Sequence, residues 1–429
     1  MADKKIKVAV ICHLSNADIR AKLPIRMGWL DKLVLGLLRK TSYYNMPDFA
    51  VWNSNLIDEI SAYTDKIEMH IIAPHKYLQN KTYEFEEKGV YFHFYKSKEG
   101  TIIYHVVKNL FPLLLDNSYT EYRSIIKIFS DKIRPDIIHI IGIENPYYAT
   151  AGLDCPKDIP LMVQLQTLMI DPAFKKNYPI TEIEYKHRSG YERQLLERAD
   201  YICTPVRHFI ELIKCGVDTK AEFINTDLLL AEPLNIDNKS NKLYDFVYFS
   251  ADISKAIDLA IEAFVLACNQ IPNLTLNIIG RYSNDLKRQL DSKLEKNRLL
   301  QNVKFEGALP THEDVMKQIR KSRFALLPLK IDFVSGTIRE SMANGLPVVT
   351  TITAGTPTLN RNKETVLLSP IGDHKALADN MVRLYKDPLL AKLLQTNGAE
   401  YMANTFSNKA MIKEWITAYE MAVEKRNKS

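Results

Sequence analysis

The feature that most restricts the fold of this chain is an alternation, run through twice, of short apolar stretches with longer amphipathic ones. Residues 6–12 are rich in β-branched side chains and almost continuously apolar, the pattern of a strand buried on both faces of a parallel sheet. Similar stretches lie at 66–73, 90–95, 137–141, 160–166 and 201–204, and helical patterns such as 118–133 and 185–199 separate most of them. The polar stretch 232–242, EPLNIDNKSNK, interrupts the pattern and reads as an interdomain link. Strands at 245–249, 274–279, 303–305, 324–328 and 347–351 then alternate with helices, and the last 55 or so residues are mostly helical. Strand–helix alternation means βαβ units and parallel sheets. Two such halves predict two doubly wound, Rossmann-like domains facing a central cleft, with ligands outside the carboxyl ends of the strands.

The bulk numbers narrow the class of partner. A net charge of +6 suits phosphates, nucleotides or a lipid surface, but no Lys/Arg-rich run gives a nucleic-acid signature. The five cysteines, Cys12, Cys155, Cys203, Cys215 and Cys268, are scattered and form no C-x-x-C pair, which speaks against a zinc ribbon or a disulfide frame. No apolar run approaches the ~20 residues of a spanning helix. The expectation is a cytoplasmic protein. Residues 20–40 interleave Arg20, Lys22, Arg26, Lys32, Arg39 and Lys40 with Leu23, Trp29, Leu30, Leu33 and Leu37. A basic amphipathic helix of this kind suits peripheral contact with the cytoplasmic membrane face. The plainer alternative is a first helix packed on the sheet with a solvated basic face.

The stretch that carries chemistry is DFVSGTIRESMANGLPVV, residues 332–349. It follows the end of a buried strand. Ser335-Gly336-Thr337 open a helix, with Ser335 as the expected N-cap. The N–H groups and positive dipole end of such a helix hold phosphate, and a glycine lets an oxygen approach the backbone closely. Glu340 lies one turn on from Gly336, on the same face, where its carboxylate can accept two hydrogen bonds from a ribose diol. Asn344-Gly345 stop the helix. The unit is a strand–loop–helix device for a nucleoside diphosphate.

An acidic residue, seven residues and a Glu, running into E-x-M-A-x-G-x-P-V-V, resembles the signature of glycosyltransferase family 4, retaining enzymes of GT-B fold. KAIDLAIEAF (255–264), LNIIG (276–280), VKFEG (303–307), AGTP (354–357) and SPIGD (369–373) resemble further motifs of that family in the same order. The first half is similar only through PDIIH at 135–139. The resemblance implies a retaining, metal-independent transfer of a sugar from a nucleoside-diphosphate sugar to a saccharide or lipid-linked saccharide in polysaccharide biosynthesis, with no cofactor and no nucleic acid. It places Lys255 on the donor phosphate, Asp332 on sugar hydroxyls, Ser335, Gly336 and Thr337 on the phosphates, and Glu340 on the ribose. The chain carries Ser250 where the family often has an arginine, and Arg281, just after Gly280, is the candidate replacement. The resemblance assigns donor binding to residues 244–408 and acceptor binding to residues 1–232, with a final helix at 409–425 packed back on the first domain.

Lysine, aspartate and glutamate are thus the candidate catalytic residues (Lys255, Asp332, Glu340). Gly280, Arg281, Gly28, His139, Glu144 and Asn145 join Ser335, Gly336 and Thr337 as candidate substrate contacts, and no metal ligand is assigned. His13, after the first strand, is a weaker candidate. Two other readings stay open: a chain that binds nucleotide-sugar or a partner subunit without catalysis, and a GT-B nucleotide-sugar epimerase.

Overall fold

The computed structural model describes residues 5–37, 48, 50–110, 118–177, 180–229, 241–252, 256–330, 335–353 and 355–428. Contacts divide the chain into two compact units, the first formed by Met1–Leu229 with Asn408–Ser429 and the second by Leu230–Ser407.

Among the described residues the first unit holds an eight-stranded sheet. Its strands are β1 (Ile6–Ile11), β2 (Ile67–His75), β3 (Thr82–Glu87), β4 (Val90–Lys96), β5 (Ile137–Ile141), β6 (Leu161–Gln164), β7 (Tyr201–Cys203) and β8 (Glu222–Ile224), in the order β3-β4-β2-β1-β5-β6-β7-β8. All neighbours pair parallel except β3, which pairs antiparallel with β4. Sequence periodicity did not find β3 or β8. In β3, TYEFEE alternates faces with no buried residue, as an edge strand does, and β8 is only three residues long.

The second unit holds β9 (Tyr244–Asp252), β10 (Leu276–Arg281), β11 (Val303–Gly307), β12 (Ser322–Leu327), β13 (Val348–Thr351) and β14 (Val366–Ser369), in the order β11-β10-β9-β12-β13-β14, all parallel. This is the doubly wound order in which the chain works outward from β9 on one side and from β12 on the other. The switch point therefore lies between β9 and β12. In the first unit the same reversal lies between β1 and β5.

Apolar strands explain the cores. Phe246, Ile278, Phe324 and Val349 face one helical layer with Ile257, Phe264, Leu377 and Met381, while Val247, Phe249, Ile279, Ala325 and Val348 face Ile338, Met342 and Leu359. Alternate residues of each strand thus meet opposite layers, as a sheet covered on both faces requires.

The last helix, Asn408–Lys428, belongs to the first unit. It buries Met411, Ile412, Trp415, Ile416 and Tyr419 against β1, β5 and helix Val51–Ile60. Lys425 pairs with Glu222, and Arg426 Nη1 donates to the Asp136 carbonyl at 3.3 Å.

Residues 20–40 do not form one helix. Helix Ala17–Lys22 ends at Leu23, and a second helix, Trp29–Leu37, starts after an extended break. Trp29 is 71% and Leu33 51% exposed, so this helix does not bury those apolar side chains on the sheet. Arg39 and Lys40 lie outside the described residues. No described helix is long and apolar enough to cross a membrane.

Candidate functional site

At the second unit's switch point two helices begin where strands end: Ile257–Cys268 after β9 and Gly336–Ala343 after β12. Both positive dipole ends lie on the carboxyl side of the sheet. Lys330 Nζ, beyond β12, pairs with Asp258 Oδ2 in the first turn of the other helix at 2.8 Å, spanning the switch point.

The height of the loop after β12 is fixed by β13. The Thr350 hydroxyl donates to the Leu327 carbonyl at 2.6 Å. The Thr351 hydroxyl donates to the Leu329 carbonyl at 2.6 Å and accepts from the Leu329 N–H at 2.7 Å. Buried hydroxyls that satisfy a strand end in this way hold the following loop in register.

Ser335 occupies the N-cap position of helix Gly336–Ala343, but its side chain makes no cap bond. Its hydroxyl pairs instead with that of Thr337, 2.8 Å away. The first-turn N–H groups are therefore not taken up by the Ser335 hydroxyl, which leaves this helix end suited to an anion. Ile338 and Met342 are buried in the core and fix the helix's rotation. At its C-terminus the Gly345 N–H bonds to the Met342 carbonyl and the Leu346 N–H to the Ser341 carbonyl, with Gly345 at φ 69°, a Schellman stop.

Glu340 sits on the flank of this helix, with its side chain 14% exposed. Its Oε1 is 2.9 Å from Nε2 of His312, the first residue of helix His312–Ile319. His312 was not singled out from the sequence, because the two residues stand 28 positions apart and no spacing rule joins them. On the next-door strands, Gly280 is the penultimate residue of β10, at φ 139°, and Gly307 ends β11 at φ 78°. Both sit where the strand register shifts, conformations that favour glycine. Arg281 follows on the exposed side, in register with Asp252. Lys255 and Asp332 lie outside the described residues.

In the first unit, residues from both sides of the switch point meet. The Tyr147 hydroxyl lies 2.9 Å from Nδ1 of His13, and the Asn53 amide donates to the His13 carbonyl at 2.7 Å. Burial, with the nearby His75 and Lys76, pulls the His13 pKa down to about 3. Glu144 is buried just beyond β5. Its Oε1 accepts from Asn145 Nδ2 at 2.8 Å and, with the Gln166 amide turned to satisfy both its neighbours, from Gln166 at 3.1 Å. Gln166 then accepts from the Trp52 indole at 2.9 Å. Arg188 donates twice to the Glu144 carbonyl, at 3.0 and 2.8 Å. Glu144 Oε2 has no partner among the described residues. Burial pushes its carboxyl up to about 7, against the opposing pull of Arg188 and Asn145.

Gly142 makes this turn possible. It has φ 86°, and a Cβ there would stand 2.7 Å from the Tyr148 hydroxyl and 2.9 Å from Gln166 Cδ. Gly28 shows no such need, since an added Cβ would meet only Asp31 Oδ2 at an ordinary 3.5 Å.

His139 requires a correction. It is not placed to contact a substrate: it is the third residue of β5 and fully buried. Its Nδ1 is 2.8 Å from the Tyr419 hydroxyl and its ring centroid 4.9 Å from that of Trp415, both on the last helix. Burial pulls its pKa down to about 3. A neutral imidazole sealed under a helix packs that helix on the sheet and offers no surface to a substrate. A cavity of about 570 Å³ opens elsewhere in the first unit, lined by Arg123, Lys186, His187 and Tyr191 among others, and none of the candidate residues lines it. Among the described residues no cluster of three His, Cys, Asp or Glu could hold a metal ion.

Two units of doubly wound order, each built on a largely parallel sheet, make up the α/β fold called GT-B. The chain is similar to sucrose-phosphate synthase from Thermosynechococcus elongatus, at TM-score 0.69 and 17% identity over 97% of this chain and 99% of that one. It is similar to an E. coli protein described as trehalose-6-phosphate bound with UDP-2-fluoro glucose, at TM-score 0.65 and 10% identity over 96% and 98%. A glycosyltransferase from Rickettsia africae matches at TM-score 0.61 and 11% identity over 98% and 99%. At such identities these likenesses show the fold. More particularly, residues 245–387 match the family model described as Glycosyl transferases group 1, so the second unit carries a glycosyltransferase family domain. The amylovoran biosynthesis glycosyltransferase AmsK of Erwinia amylovora is 31% identical over 213 residues, which cover 46% of this chain and half the length of that relative.

Proposed function

We propose that the protein is a retaining, metal-independent glycosyltransferase that moves a sugar from a nucleoside-diphosphate sugar to a saccharide or lipid-linked acceptor in polysaccharide biosynthesis. The observation that carries this reading is the helix Gly336–Ala343. It starts at the carboxyl end of β12, beside the switch point, with Glu340 one turn in, inside the segment that matches the group 1 family. Its N-terminus takes the diphosphate and Glu340 the ribose. Lys255 and Arg281 neutralise the leaving diphosphate, and Asp332 holds sugar hydroxyls. The UDP-2-fluoro glucose of the E. coli neighbour supports a nucleotide-sugar donor, and the name of the Erwinia relative supports a polysaccharide product. The first unit, with His13, Glu144 and Asn145 at its own switch point, takes the acceptor.

The test is a panel of nucleotide-sugars against wild type and Glu340→Ala, by thermal shift in chelator. A ligand that binds only the folded state raises the melting temperature. One donor should stabilise the wild type and not the variant. The same donor incubated without acceptor should stay unconverted, since conversion would mark an epimerase. If no donor stabilises the wild type, the donor site is misplaced.

The acceptor side includes contact with an anionic membrane. Trp29 and Leu33 of one helix, and Ile103, Val106 and Leu110 of the contacting helix Ile102–Leu110, are each more than 45% exposed. Apolar side chains grouped in this way mark an interaction surface, and the exposed Arg26 and Lys32 suit anionic headgroups. Wild type should co-sediment with phosphatidylglycerol vesicles, and Trp29→Ala with Ile103→Ala should weaken this without lowering the melting temperature. Equal sedimentation of the variant would remove this surface from the reading.

A further inference from the structure

We infer that His312 is the positioning residue for the ribose carboxylate, and that through Glu340 it sets a preference for ribonucleotides over 2′-deoxyribonucleotides. The inference rests on the donor-site reading above.

The backbone beneath His312 is fixed. Thr311 and Asp314 form a reciprocal capping box, with the Thr311 hydroxyl accepting from the Asp314 N–H at 3.1 Å and Asp314 Oδ2 accepting from the Thr311 N–H at 3.2 Å. His312 is the first residue of that helix, and its side chain is 19% exposed. A helix N-terminus disfavours a cation and favours a nearby anion. The Glu340 carboxylate beside His312 meets the second preference. An ionised carboxylate only accepts, so Nε2 carries the hydrogen and donates it to Oε1 across 2.9 Å.

This bond constrains Glu340 before any ligand arrives. A glutamate side chain otherwise loses rotamer freedom on binding, and that loss weakens affinity. With Oε1 held by His312, Oε2 and the second lone pair of Oε1 remain for the two hydroxyls of a vicinal diol. A 2′-deoxyribose offers only one of them. The orientation of Glu340 is thus tied to a second helix, and the benefit of that tie is largest when the diol is complete.

The test measures affinities of UDP, GDP and ADP and of their 2′-deoxy counterparts by calorimetry, for wild type, Glu340→Ala, His312→Phe and His312→Gln. In the last variant the glutamine amide nitrogen keeps a donor as many bonds from the backbone as the imidazole Nε2. Wild type should bind one ribonucleotide more tightly than its deoxy form. Glu340→Ala should erase that ratio. His312→Phe should weaken the ribonucleotide about 5- to 10-fold, the worth of one ordinary hydrogen bond, and the deoxy form by clearly less. His312→Gln should recover most of the loss. If Glu340→Ala erases the ratio and His312→Phe keeps it, the inference fails while the donor site stands. If His312→Phe weakens both nucleotides equally, or if His312→Gln gives no rescue at an unchanged melting temperature, the role is merely structural and the inference fails. If Glu340→Ala leaves the ratio intact, the donor-site reading itself fails.

Discussion

At the switch point of the second unit the polar groups are a helix end, threonine hydroxyls that pin a strand, the Lys330–Asp258 ion pair and the Glu340 carboxylate on a helix flank. At the switch point of the first unit they are side chains withdrawn from water: His13 against Tyr147, and Glu144 among Asn145, Gln166 and the doubly donating Arg188. One site is built for a chemical feature common to many ligands, a diphosphate and a diol. The other is a network of particular side chains, each dependent on the next. The contrast teaches that recognition of a common group can be delegated to backbone geometry, while a distinctive partner demands buried polar contacts. Such contacts cost stability unless all are satisfied.

The contrast is sharpest in acid. Burial holds the pKa of His75 at about 4 and that of His139 at about 3, while in the unfolded chain a histidine titrates near 6.5. Their contribution is complete above pH 6.5 and is lost as the pH falls toward 4, by about 3 kcal/mol each. Glu144 has the opposite sign. Its folded pKa of about 7 lies above the ordinary 4.5, so its contribution is complete below 4.5 and about 3 kcal/mol is lost as the pH rises to 7. Glu144→Gln should therefore make the first unit's stability fall more steeply on acidification. Trp29, Trp52 and Trp415 all belong to that unit, so tryptophan fluorescence reads it selectively. A variant slope no steeper than wild type's would break the comparison.

Gly142→Val is the next largest effect. A β-branched side chain at φ 86°, 2.7 Å from the Tyr148 hydroxyl, should cost about 2–3 kcal/mol in denaturant unfolding of the first unit. On the other side of the comparison, Glu340→Ala should cost about 2 kcal/mol of nucleotide affinity and leave tryptophan-detected unfolding unchanged. A fall in first-unit stability would mean that the two sites are not separable. The smallest effect is Gly190→Ala. This glycine lies inside helix Glu182–Arg198, and an added Cβ would meet nothing within 4 Å. The exchange should stabilise the first unit by about 0.5–1 kcal/mol, read as a higher denaturation midpoint.

The same contrast explains how much could be read from the sequence. The second unit's strand–loop–helix device is contiguous: Ser335, Gly336 and Glu340 fall on one helix, and Gly345 ends it where a left-handed residue is needed. Most parallel strands of both sheets show as apolar β-branched runs, but the short β8 and β14, three and four residues long, do not. His312 stays hidden because a hydrogen bond between two helices leaves no periodicity in either. In the first unit Trp52, Gln166 and Arg188 join Glu144 from three separate elements, and no spacing announces that. His139 misleads because a histidine inside an apolar strand reads the same whether its ring faces a ligand or lies under a covering helix. Ser335 reads as a cap by residue type, whereas Thr337 competes for its hydroxyl.

The return of the last helix to the first unit has a consequence for biogenesis. Residues 230–407 are an insertion within the first unit, with both ends tied to it. During synthesis the second unit has its complete sequence while the first still lacks the segment that covers β1 and β5. Until Ile412, Trp415 and Tyr419 emerge, that face of the sheet stays open, with His139 uncovered. The half of the protein made first is the half finished last, so chaperone demand and premature-termination damage both concentrate on the amino-terminal sheet.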